Sequence, residues 1–169
     1  SIVYTSEPGT MRHNLERLMR VSEAERQVPN YVAAIMAIYF SHGADQDIRC
    51  AMQRMAVEPN LIWINALHVR GELQPWVDPL ALADAIVRQE YAVIHGWCQR
   101  DIAEDALAEH LITTCLSVMA GATRGAARSE ILEALDRVGS QGVQALKLPR
   151  ADFAASAENL PAEKALVLR

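Results

Sequence analysis

The sequence predicts an all-α domain: a bundle of about six core helices, then a short C-terminal helix and a tail. Three observations carry that expectation. Alanine, leucine and arginine abound while aromatic residues make up only 5% of the chain, and those three side chains lose little freedom in a helix. Prolines and glycines cut the chain into segments of helical length. Within those segments apolar residues recur at intervals of three and four.

Each element follows from its own signals. Pro8-Gly9 precede Thr10, an N-cap residue, so a first helix is expected over residues 11–26, with Met11, Leu15, Leu18 and Met19 on one face. Pro29 breaks it, and Asn30 is the expected cap of a second helix over 31–42. That helix is apolar on nearly every side, which implies burial, and Gly43 is its expected stop. A third helix over 45–57 carries Ile48, Met52 and Met55 inward, with Asp45 and Asp47 at its dipole-favoured end.

Pro59 fits the start of a fourth helix, which ends at Gly71. Asp78 caps a long fifth helix over 79–98, and Asp101 is the expected cap of a sixth over 103–120 that stops at Gly121. A core of residues 1–121 is therefore expected. Residues 122–169 form an extension, with a short helix at 129–138 and an irregular tail broken by Pro149 and Pro161.

The bulk numbers exclude several classes. A chain of 169 residues suits one domain. Its three cysteines, Cys50, Cys98 and Cys115, are odd in number and far apart, which points to reduced thiols in a cytoplasmic protein rather than a disulfide framework. The longest apolar run, 28–40, is too short to cross a bilayer, so no membrane partner is expected. Residues 72–121 hold eight acids against Arg88 and Arg100, so no concentrated basic patch for phosphate binding emerges.

Catalytic and cofactor signatures are missing as well. There is no dinucleotide fingerprint, P-loop or nucleophile elbow, and no Glu-x-x-His pair of the di-iron bundle type. His95 and Cys98 share a helical face, but His110 and Cys115 are five apart and cannot complete a zinc site with them. Cys98 reads instead as a small buried hydrophobe. No enzyme, catalytic residue, metal or cofactor is expected.

Residues 58–121 carry a resemblance. The run Trp63-Ile64-Asn65-Ala66-Leu67-His68-Val69-Arg70-Gly71-Glu72-Leu73 is followed by Asp78-Pro79, by His95-Gly96-Trp97 and by an apolar helix reaching Gly121. This order resembles the C-terminal, ligand-binding and dimerisation domain of TetR-family transcription regulators. Tyr4 and Pro8 match the end of that family's DNA-binding domain, while Glu7 stands where the family has an aromatic residue and Thr10 where it has lysine.

The resemblance implies an effector-sensing domain of a repressor, a homodimer whose DNA contact belongs to a helix-turn-helix upstream of Tyr4. It assigns the dimer interface to the fifth and sixth helices, where Leu107, Leu111, Cys115, Val118 and Met119 make a continuous stripe. The ligand is expected to be small and largely apolar, surrounded by Met36, Tyr39, Met52, Met55 and Trp63, with Asn65, His68, Tyr91 and His95 as further wall and polar handles. Two other readings stay open: a stand-alone helical interaction module and, ranked last, a small helical enzyme.

Overall fold

A computed structural model describes residues 4–43 and 46–149. Six α-helices run through them: α1 (Met11–Gln27), α2 (Pro29–Phe40), α3 (Gln46–Val69), α4 (Pro79–Cys98), α5 (Leu107–Ala122) and α6 (Gly125–Gln141). Among the described residues there is no strand, only an isolated antiparallel bridge between Leu73 and Thr123. The all-α class is as expected.

Local chemistry sets most of the boundaries. Thr10 is extended and its hydroxyl accepts from the His13 N–H at 3.1 Å, capping α1. The Asp78 carboxylate does the same for α4, accepting from Ala81 N–H at 2.8 Å, and Pro79 occupies the first helical position where no N–H is needed. Gly71, at φ +71°, turns the chain out of α3. The two residues after it are also placed: Glu72 accepts from Ala127 N–H at 3.2 Å at the start of α6, and Leu73 is buried.

Four expectations about the limits of the helices fail, and Ile48 and Met55, expected to face inward, are exposed. Pro59 does not separate two helices but lies inside the 24-residue α3. A proline in a helix interior costs about 3 kcal/mol or more. Here both halves of the helix pack on α4, through the Gln53–Asp84 hydrogen bonds before Pro59 and Trp63, Ile64 and Leu67 after it, and that shared partner outweighs the lost bond. Asp45 lies outside the described residues. Second, Asn30 is not a cap; α2 begins directly at Pro29 after Val28 and ends at Phe40, three residues before Gly43. This helix sits at the edge of the bundle, so only Val32 and Met36 are buried, while Tyr31, Ile38 and Phe40 are exposed.

Third, Asp101 does not cap α5, which is entered through a 3-10 turn at Glu104–Ala106 and continues past Gly121 to Ala122. Fourth, the C-terminal segment is longer and better packed than its polar sequence suggests. α6 spans 17 residues and puts Ala127, Ile131, Ala134 and Val138 into the same core as α1, α3, α4 and α5. A further 3-10 turn at Val143–Leu146 follows, and Arg12 ties it to α1 by donating to the carbonyls of Leu146 (3.3 Å) and Lys147 (2.8 Å). The tail expected from 150 onward lies outside the described residues.

α5 is the central rod. It contacts α1, α4 and α6, and Leu107, Leu111, Ile112, Leu116 and Met119 are fully buried. Its stripe is therefore consumed within one chain. Leu107 and Leu111 belong to a second, smaller core with α2 and α4, Cys115 and Met119 to the main one, and Val118 packs against the main core from its edge. Four of the expected dimer residues, Leu107, Leu111, Cys115 and Met119, are thereby spent inside the chain and unavailable to a twin, while Val118 is half-buried and the exposed side of α5 carries Glu109, His110 and Ser117 instead.

Candidate functional site

The site begins with the buried face of α1. Leu15, Leu18 and Ser22 follow one another at helical spacing into the core, and the next position of the same stripe is Glu25. Beside it runs a buried polar network. Arg17 donates to Glu90 on α4 at 3.1 Å and to Asn60 on α3 at 2.9 Å, while Asn14 accepts from Arg17 and donates to the Cys115 thiol on α5. One buried guanidinium thus ties α1 to α3 and α4, and Asn14 extends the network to α5; the partners of Arg17 satisfy the charge it brings inside.

Where α1 ends, α2, α3 and α4 leave an apolar cleft of about 300 Å3, at the small end of the range for ligand pockets. Its walls include Tyr31, Val32, Met36, Met52 and Tyr91, with Glu25 as the acidic member. The Tyr91 hydroxyl is spent, donating to the Met52 carbonyl at 3.0 Å. Burial, followed by the nearby Tyr39, Glu90 and Glu25, pushes its pKa up to about 12. Glu25 differs: its Oε2 is buried and has no hydrogen-bond partner. Burial, reinforced by the Glu90 charge, raises this carboxyl from 4.5 to about 7.

Of the nine expected ligand residues, Met36, Met52 and Tyr91 line this cleft. Tyr39 stands next to it, edge-on to Tyr91 with ring centroids 4.6 Å apart, and lines a separate, more polar groove with Gln53, Asp84 and Arg88. His95 stacks obliquely on Phe40, its Nδ1 buried without a partner. Trp63 is a core residue. Met55, Asn65 and His68 are exposed, because the arc of α3 that faces the bundle runs through Val57, Asn60, Trp63, Ile64 and Leu67. These last four are not brought to the site.

No protein-family model, curated protein or solved structure matches this chain.

Sequence reasoning passed over Glu25, although a signal was present. An acid at the next core position of α1, after Leu15, Leu18 and Ser22, is a buried polar group that needs a partner. Among the described residues no three His, Cys, Asp or Glu side chains converge as a metal site would require, and no helix is long and apolar enough to cross a membrane. Chemically, then, the cleft offers polarizable apolar walls, aromatic surface and one carboxyl able to change its charge near neutral pH.

Proposed function

We propose that this chain is the effector-binding domain of a TetR-like transcription repressor, and that a small, largely apolar molecule enters the cleft between α1, α2, α3 and α4. The cleft is the observation that carries the reading: a space of ligand size, walled by methionine and aromatic side chains and lined by Glu25, one of whose carboxyl oxygens is buried without a partner. One of its walls is the C-terminal end of α1. A ligand that prefers one placement of α1 shifts the population toward it, and a DNA-binding head joined ahead of α1 would feel that shift. Thermal-shift screening with small apolar and aromatic compounds tests the proposal. Stabilisation that disappears in Met36→Trp, a substitution that fills the cleft, supports it; hits unaffected by that change refute it.

A homodimer belongs to this reading, but the apolar stripe of α5 is buried inside the chain and is not available to form it. One observation favours the second reading, a helical interaction module. Ile48, Met55, Ile62 and Val69 on α3 are exposed and recur every seven residues, so they follow one side of the helix. Light scattering separates the two. A wild-type dimer that dissociates in Met55→Glu/Ile62→Glu suits the regulator, whereas a wild-type monomer leaves this row for another protein.

A further inference from the structure

We infer that the ligand of the cleft carries a protonated amine, which pairs with the Glu25 carboxylate while its apolar body lies against Val32, Met36 and Met52. This inference rests on the cleft being the ligand site and adds the charge of the ligand. Glu25 Oε2 is buried, lacks a partner and belongs to a residue that lines the cleft. A carboxylate in that position favours any cation able to reach it, since the apolar walls strengthen the attraction relative to water. Among the described residues no cation is paired with it. Arg17 is engaged by Glu90, Asn60 and Asn14, and Arg26 reaches out to Glu104 at 3.8 Å.

The other groups around Glu25 make the site more selective for positive charge. α4 presents Glu90, Tyr91 and Cys98, all of which interact electrostatically with Glu25, and none of them is cationic. From α2 comes Tyr31 and from α3 Met52, both uncharged. Glu90 opposes the ionisation of Glu25, so an anionic ligand would meet two acids, whereas an ammonium ion relieves their repulsion. Tyr31 and Tyr91 add aromatic surface of the type that attracts ammonium groups.

Proton balance makes the inference measurable. Glu25 holds its proton up to about pH 7 in the free protein. Binding an ammonium ion below that pH therefore releases the proton to solvent. Only the ionised fraction is competent to bind, and that fraction rises about tenfold between pH 6 and pH 8. The probes are 4-phenylbutylamine, its neutral analogue 4-phenylbutanol and the anion 4-phenylbutanoate. The amine stays protonated throughout this range, as an ordinary primary amine titrates near ~10.4. Calorimetry should show the amine binding about tenfold more tightly at pH 8 than at pH 6. The alcohol should be weaker and flat with pH, and Glu25→Gln should abolish the amine's advantage. An alcohol that binds as tightly as the amine at pH 8, or an amine affinity flat with pH, overturns the inference and leaves the cleft as a site for neutral ligands. Failure of all three probes to bind the wild-type protein at millimolar concentration overturns both the inference and the assignment of the cleft as a ligand site.

Discussion

Replacing Glu25 with glutamine removes one proton-binding site and changes little else in shape, which turns its burial into a stability measurement. The folded chain holds this carboxyl's proton to about pH 7, while the unfolded chain releases it near the ordinary 4.5. The folded state therefore binds more protons across that window, and the contribution of Glu25 to stability is fully present below pH 4.5 and is lost as pH rises through 7. The gap corresponds to about 3 kcal/mol for a group wholly shielded from water; Glu25 is partly exposed, so about 2–3 kcal/mol is the expected loss. Urea unfolding of wild type and Glu25→Gln at pH 5 and pH 8 measures it. Relative to the variant, the wild type should lose most of that amount between the two pH values, and the variant should be the more stable protein at pH 8. Stability curves that run parallel from pH 5 to 8, or a variant weaker than wild type at pH 8, would refute the reasoning, since either result means that the carboxylate has found a partner or lies in water.

Glu16 titrates in the opposite sense. Burial alone would raise its pKa, but hydrogen bonds from Ser6, Thr5 and Arg20 outweigh burial and lower it to about 2. Its stabilising effect is present above pH 4.5 and fades as pH falls toward 2, so acid titration of wild type against Glu16→Gln should show a difference of about 3 kcal/mol near neutrality that shrinks on acidification. Leu111→Glu should leave no cooperative unfolding transition by circular dichroism, because the side chain is fully buried within the chain; a folded, cooperative variant would show that this stripe is accessible after all. Ile131→Ala should cost about 2–4 kcal/mol in urea, since Ile131 is fully buried in the main core; a cost below about 0.5 kcal/mol would make α6 a loose appendage.

What the sequence by itself determined is local. Thr10, Asp78-Pro79 and Gly71 each act through backbone groups within a few residues, so the starts of α1 and α4 and the end of α3 are legible from short stretches of chain. Helical class follows from the same signals. Which face meets which partner is not local, and there only the tertiary structure decided. The apolar spacing of α5 describes a stripe that must be covered, and it reads the same whether a second copy or α1, α4 and α6 cover it. Pro59 weighs against a continuous helix in isolation, and packing of both halves on α4 reverses that preference. Asn65 and Glu25 show the same limit at the site. Both are polar residues among apolar neighbours, yet one turns to solvent and the other into a cleft, because rotation about the helix axis is set by the surrounding helices rather than by the residues beside them.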